Sequence, residues 1–277
     1  MYCLNLATLK ASTFEKIKGM NSTFELDETW AADHYLDGSE RERIDKTISM
    51  IPSNVVNLLD VGTGNAAFLH VVEERLSLRH LEGLEYSAAG IRNKICKAIV
   101  RRGSADHIPH DNFTFDIVSC LEVLEHLPQP VYQKALHELQ RVAGKYLLVS
   151  VPYQENRVNI SCPKCNCKFN PNTHVRSFYK KDMQGLFNDF ELTFLESFGN
   201  KREMYFGKYR NVAKQVFMGK KFPKQAVCPL CQYTLAGNEI KKGLGRSHTN
   251  PKMSLIKKLF FYNSPRWYIA LYTRKGV

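Results

Sequence analysis

The chain has 277 residues, 44% hydrophobic and 24% charged, proportions of a globular protein with a full core and not of a disordered or fibrous one. No apolar run approaches 18 residues, so no membrane-spanning helix is expected. Residues 1–13 lack the charged start and long apolar run of a secretory leader, which makes the cytoplasm the expected location. The formal net charge of +12 is unevenly placed: residues 200–277 hold 17 Lys/Arg against 2 Asp/Glu, a balance of +15, and the remainder carries −3. A basic surface attracts phosphate or simply keeps a protein soluble, and charge alone does not separate the two.

In chain order, residues 1–29 show weak periodicity and read as an N-terminal extension. Residues 39–50 form an amphipathic helix, with Ile44, Ile48 and Ile51 at helical spacing before Pro52 breaks it. A β-branched and leucine run over 55–61 is a strand that stops at Gly62. Helical spacing returns over 66–77, followed by a strand at 80–85, a helix over 87–100, a strand at 116–121, a helix over 129–143 and a strand at 145–151. Strands alternating with helices predict a parallel sheet covered on both faces. After Pro152 the rhythm breaks. Residues 154–173 are polar and cysteine-rich, a helix spans 179–188 and a strand 190–198, residues 200–264 are irregular and basic, and a last strand covers 267–272. The organisation expected is a core over 30–153 and a C-terminal part over 154–277, in which two further strands alternate with insertions at 154–173 and 200–264.

The strongest site is Leu59-Asp60-Val61-Gly62-Thr63-Gly64-Asn65-Ala66. An acidic residue ends the first strand and a glycine turn opens the next helix, where the chain bends tightly and ligand atoms can reach the backbone. Glu85, about twenty residues on, ends the second strand, where a carboxylate can accept both hydroxyls of a ribose. A dinucleotide fold would place pyrophosphate at this turn. The Asp60 carboxylate repels phosphate and suits a cationic ligand, which favours S-adenosylmethionine, a donor with an ammonium, a sulfonium and no phosphate.

With LLDVGTGNAAFL at 58–69, GLEYSAAGIRNK at 83–94, GSADHIP at 103–109 and FDIVSCLEVLEHL at 115–127, in that order, the sequence resembles the class I methyltransferase superfamily. The resemblance implies an α/β, Rossmann-like fold with a seven-stranded, mostly parallel sheet. It implies a donor pocket with Asp60, Gly62 and Gly64 near the methionine end, Glu85 on the ribose, Tyr86, Ser104, Ala105 and Asp106 at the adenine, and Thr63 and Leu121 also lining the pocket. Ala66 departs from the pattern by replacing a frequent third glycine. Ser104 departs by replacing a frequent acid, a task that Asp106 would then take.

Glu122-Val123-Leu124-Glu125-His126 follows the fourth strand at the carboxyl end of the sheet. Imidazole ordinarily titrates near neutrality, which suits a general base removing a hydroxyl proton. The E-x-x-E-H spelling resembles that of ubiquinone-biosynthesis O-methyltransferases and of small-RNA 3′-end 2′-O-methyltransferases. That resemblance implies a Mg²⁺ or Mn²⁺ ion held by Glu122, Glu125, His126 and His174; a packing and capping role for the same residues is the alternative.

Five of the eight cysteines cluster. Cys162-Pro-Lys-Cys165 and Cys228-Pro-Leu-Cys231 are two C-P-x-C turns able to close a four-thiolate, structural zinc site, with Cys167 a spare thiol. The two inserts are expected to form a zinc-stapled lid on the acceptor side, as in bacterial methyltransferase-domain proteins that the sequence is similar to. Tyr205, Phe206, Tyr209 and Arg210 would stack on bases or sugars, or line a lid. Residues 254–261 mix lysines with bulky apolars and read as a packing helix sooner than a peripheral membrane contact. The expected activity is S-adenosylmethionine-dependent O-methylation of a hydroxylated small molecule or saccharide. RNA 2′-O-methylation is the alternative, and a non-catalytic zinc-ribbon binding module the non-enzymatic one.

Overall fold

In the computed structural model, residues 24–30, 36, 38–204, 222–223, 226–235 and 261–276 are described. They fall into two compact units. A sheet unit draws on residues 21–156, 175–199 and 266–277, and a cysteine unit on 157–174 and 200–265.

The sheet unit has seven strands: β1 (Asn57–Val61), β2 (His80–Glu85), β3 (Ile99–Arg102), β4 (Phe115–Leu121), β5 (Ala143–Pro152), β6 (Phe190–Phe198) and β7 (Trp267–Arg274). Its helices are α1 (Gly38–Ser49), α2 (Ala67–Arg75), α3 (Ala88–Arg92), α4 (Gln129–Val142) and α5 (Lys180–Gln184). The strand order is β3-β2-β1-β4-β5-β7-β6. All neighbours are parallel except β7, which runs antiparallel between β5 and β6. This is the seven-stranded, mostly parallel sheet that the family resemblance implies.

Strand side chains alternate between faces, and the sequence supplies apolar residues to both. Leu58, Ile117, Leu148 and Ile269 pack on one face with Ile44 and Ile48 of α1 and Phe68, Leu69 and Val72 of α2. Leu59, Val118, Leu147 and Val149 pack on the other with Leu136 and Leu139 of α4. Pro152 and Phe198 both lie opposite Trp267, so β5 and β6 end at the same, carboxyl edge of the sheet. The chain leaves the sheet there twice.

One predicted element differs. The helix expected over 87–100 stops at Arg92, and Ile99–Arg102 is the edge strand β3. The backbone N–H groups of Lys97 and Ala98 donate to the Glu73 carboxylate, which draws the chain out of the helix. β3 is largely exposed and so lacks the alternation by which a half-buried strand is recognised.

In the cysteine unit, Ile160–Ser161 pairs antiparallel with Lys168–Phe169, and Lys201–Met204 with Phe261–Ser264. Among the described residues, Cys162, Phe169, Phe222, Ala226 and Cys228 form its buried cluster. Tyr205, Phe206, Tyr209, Arg210 and residues 254–260 lie outside the described residues.

Candidate functional site

Strand order reverses between β1 and β4, and the crevice at the carboxyl ends of such strands is where open α/β sheets bind ligands. Asp60, Glu85, Leu121 and Ser150 all stand at that edge. Asp60 is 3% exposed and accepts a hydrogen bond from Ser119 Oγ at 2.6 Å. Burial pushes its carboxyl up to about 6, against the Ser119 hydroxyl and the Arg43 charge, which hold it down.

The turn after β1 is left-handed at Gly62 (φ 77°) and Gly64 (φ 58°). A Cβ on Gly62 would lie 2.4 Å from Val123 Cγ2, and one on Gly64 2.4 Å from the Trp30 ring. Both positions thus need glycine for conformation and for space. Ala66, in place of the third glycine, is also left-handed (φ 63°), a conformation costing an L-residue roughly 1 kcal/mol.

Glu85 closes this turn from the side. One carboxylate oxygen accepts from Gly64 N and the other from Ser87 N, each at 2.7 Å. Beyond Glu85, Tyr86 is half exposed, and Ser104 Oγ donates to Asp106 Oδ1 at 2.5 Å. Ser104 and Asp106 therefore form one polar pair in the turn after β3, with Ala105 packed on the core.

Sequence reasoning missed the strap Phe24–Trp30, which crosses this edge. The Phe24 carbonyl accepts from Trp30 Nε1 (2.6 Å) and Ser87 Oγ (2.5 Å). Asn65 Nδ2 donates to the Trp30 carbonyl at 3.1 Å, and the Phe24 ring meets His126 edge-on at 5.1 Å. Only Phe24, Leu26 and Trp30, apolar residues among acids and a threonine, hinted at a buried segment here.

The E-x-x-E-H residues do three different things. Glu122 is left-handed (φ 56°), and its carboxylate accepts from Trp267 Nε1 at 2.9 Å and Ser150 Oγ at 3.0 Å. Glu125 is fully buried, and neither of its side-chain oxygens has a hydrogen-bond donor among the described residues. Burial first, then the Glu122 charge, push its carboxyl well above the usual range. His126 Nε2 lies 3.9 Å from Glu125 Oε1. His174 belongs to the cysteine unit; Val175, the next residue, donates its N–H to the Glu125 carbonyl at 2.8 Å.

In the cysteine unit, the Sγ atoms of Cys162, Cys165, Cys228 and Cys231 all lie within 4.8 Å of one another, with Cys162–Cys231 at 3.6 Å and Cys165–Cys228 at 3.5 Å. The two turns share one backbone pattern. Asn166 N–H donates to the Cys162 carbonyl and Gln232 N–H to that of Cys228, and both Asn166 and Gln232 are left-handed. Cys167 stands outside the set, its Sγ 3.9 Å from the Lys168 carbonyl. Sulfurs about 2.3 Å from a tetrahedral zinc ion lie about 3.8 Å apart, so this set fits such an ion.

A family model described as a methyltransferase domain matches residues 32–197. Protein MJ0638 of Methanocaldococcus jannaschii, uncharacterised by its description, is 33% identical over 103 residues, which are 34% of this chain and 40% of that protein. The match thus spans less than half of that relative's length. Among solved structures, the complex between the Haloferax volcanii Trm112 methyltransferase activator and a candidate methyltransferase aligns with TM-score 0.54 and 13% identity, over 91% of this chain and 97% of that one. A candidate methyltransferase from Bacillus halodurans C-125 aligns with TM-score 0.51 and 16% identity, over 87% and 100%. At these identities the structural likeness establishes the fold.

Proposed function

The chain belongs to the methyltransferase-domain family of S-adenosylmethionine-dependent, class I enzymes, and from that premise we propose that it methylates a hydroxyl of a small molecule or saccharide, with His126 as the base. When bound, S-adenosylmethionine supplies a methyl group on a cationic sulfonium. The chain's own part is to hold donor and acceptor in line, which provides much of the rate, and to take the hydroxyl proton. The observation that carries the reading is His126 at the carboxyl edge beside the buried, unsatisfied Glu125 carboxyl. His126→Ala is expected to lower kcat by about 10²–10⁴-fold with donor affinity unchanged. Full turnover in that variant would remove the base assignment.

The donor assignment rests on the two strand-end carboxylates. A carboxylate has about four acceptor sites; Glu85 uses two on Gly64 N and Ser87 N, and the Tyr86 backbone also acts on it. The remaining capacity is for the ribose hydroxyls. Asp60, with Gly62, Thr63 and Gly64, holds the methionine end, and Tyr86, Ser104, Ala105, Asp106 and Leu121 the adenine. An ammonium is attracted only by ionised Asp60, whose carboxyl titrates at about 6. Donor affinity should therefore be full above that pH and fall about tenfold per unit well below it, and Asp60→Asn should flatten the profile. The effect on stability has the opposite sign. A carboxyl raised by burial favours the fold in acid, and its contribution is lost as pH rises through about 6. Calorimetric titration of S-adenosylhomocysteine from pH 5 to 8, beside thermal melts of the free protein, reads both.

The unsatisfied Glu125 carboxyl also supports a divalent cation, Mg²⁺ or Mn²⁺, shared with His126, since an ion would supply the charge that this carboxyl lacks. Glu122 contributes less to such a site, because both its oxygens already have donors. Activity lost to a chelator and restored by either ion is expected; insensitivity leaves the base alone. Four thiolates spaced for a tetrahedral ion support structural zinc at Cys162, Cys165, Cys228 and Cys231.

The charge asymmetry, +15 over residues 200–277, favours a second reading, RNA 2′-O-methylation. Labelled donor separates the two. Transfer to RNA that is lost after periodate oxidation of its terminal diol supports the RNA reading, and transfer to free saccharides supports the first. A chain that binds no donor would be a binding module. Among the described residues no helix is long and apolar enough to cross a membrane.

A further inference from the structure

Glu122, directly after β4, is held left-handed at φ 56°. That conformation is costly for a residue with a Cβ and persists only where its surroundings impose it. Two neighbouring strands impose it here. The Glu122 N–H donates to the Ser150 carbonyl of β5 at 3.0 Å. Ser150 Oγ donates to Glu122 Oε1 at 3.0 Å, and the indole Nε1 of Trp267, the first residue of β7, donates to Oε2 at 2.9 Å. Ser150 Oγ in turn accepts from Arg43 Nη1 at 3.4 Å. β5 lies between β4 and β7 in the sheet, so the indole reaches across a whole strand to this carboxylate. Hydrogen bonds to an ionised acceptor are stronger than neutral ones, and one on each oxygen fixes the carboxylate in direction as well as place.

Trp267 is itself fixed. It is buried, with the Arg266 guanidinium 4.4 Å from its ring centre and the Phe198 ring stacked on it at 6.4 Å. Arg266 is tied in turn to Glu40 at 3.1 Å. Gly199, left-handed at φ 77°, leaves room for the indole, since a Cβ there would lie 2.8 Å from it. An indole has one donor, and Trp267 directs it at Glu122. Beyond Glu122, Val123 fills the space that Gly62 leaves in the turn after β1, Leu124 is fully buried, and the His126 N–H returns to the Val123 carbonyl at 3.0 Å. Within 122–126 only Glu122 is left-handed, so the direction in which this turn leaves the sheet is set there.

We propose that Trp267 is a positioning residue for methyl transfer: through the Glu122 carboxylate it holds the left-handed start of the 122–126 turn, and with it the placement of His126. The proposal rests on the reading of His126 as the base. It makes Glu122 an anchor in place of a metal ligand or proton carrier. It also explains why a position that favours glycine by its backbone carries a glutamate, because the tether needs a side chain that accepts from both β5 and β7.

The test reads the imidazole NMR signal of His126 at one pH in the full chain labelled at histidine. His126→Gln assigns the signal, and the eight other histidines are internal controls. Trp267→Phe keeps a stacked ring and removes the donor. It should displace the His126 signal and leave the other eight in place, with S-adenosylhomocysteine affinity within about twofold. Adding Glu122→Gly to Trp267→Phe supplies the bend without a tether and should return the signal to its original position. Glu122→Ala in the same background, with a Cβ and no carboxylate, should not. A His126 signal unmoved in Trp267→Phe overturns the proposal. So does displacement of all nine signals together, which assigns Trp267 to packing, or a glycine variant no closer to the original than the alanine one. Full turnover in His126→Ala would instead remove the base reading beneath the proposal, even where the signals move as expected.

Discussion

Glu85→Ala is expected to weaken S-adenosylhomocysteine by about 100-fold or more and to lower Tm by roughly 6–24 °C. The two effects have one origin. The Glu85 carboxylate is 6% exposed and accepts a backbone hydrogen bond from each side, Gly64 N and Ser87 N. Hydrogen bonds to a charged group contribute about 1.5–3 kcal/mol each, and their loss leaves buried N–H groups without partners. In a sheet unit of this size, each 1 kcal/mol moves Tm by about 2–4 °C. The loss of affinity comes from the outward-facing acceptor sites that the ribose would use. Glu85→Gln removes the charge without opening a cavity. Its amide keeps one acceptor oxygen but presents N–H to a backbone N–H on the other side, so both turn and ribose contacts weaken with little change in volume. Calorimetry and thermal melts on both variants check this. Unaltered ligand affinity in Glu85→Gln would mean that the ribose lies elsewhere.

The pieces of this site that sequence could reach are those whose chemistry is local. Asp60, the glycine turn and Glu85 were legible because a strand end, a required left-handed bend and a carboxylate at fixed spacing each leave a mark on adjacent residues. The two C-P-x-C turns were legible for the same reason, although 62 residues separate Cys165 from Cys228 by more than their own local pattern. The remainder is tertiary. Nothing near Glu122 announces that its carboxylate meets Trp267, 145 residues away; E-x-x-E-H reads as one unit, and the fold divides it into a tethered Glu122, an unsatisfied Glu125 and an accessible His126. The strap Phe24–Trp30 has no periodicity because single side chains and carbonyls hold it, not a face. Arg43 was hidden within a helix recognised by its isoleucines, although its place one residue before Ile44 and four before Thr47 put it on the buried side.

Cys228→Ser should release the zinc while leaving donor affinity within about threefold. Among the described residues, the buried cluster of the cysteine unit is Cys162, Phe169, Phe222, Ala226 and Cys228, and two of those are proposed ligands. A structural zinc ion contributes about 10–16 kcal/mol in comparable peptides. On this reading the metal is the main source of order in the unit, and removing one of four thiolates removes most of it. The sheet unit has its own two-faced core, so its thermal transition and its S-adenosylhomocysteine affinity should persist. Metal content by elemental analysis, limited proteolysis across 157–174 and ligand calorimetry follow the three quantities separately. Cys167→Ser is the matched control: Cys167 lies outside the four-sulfur set, so that variant should keep its metal. Metal retained in Cys228→Ser, or lost in Cys167→Ser, would overturn the assignment of these four sulfurs, because a tetrahedral ion with no open position cannot be indifferent to losing a ligand.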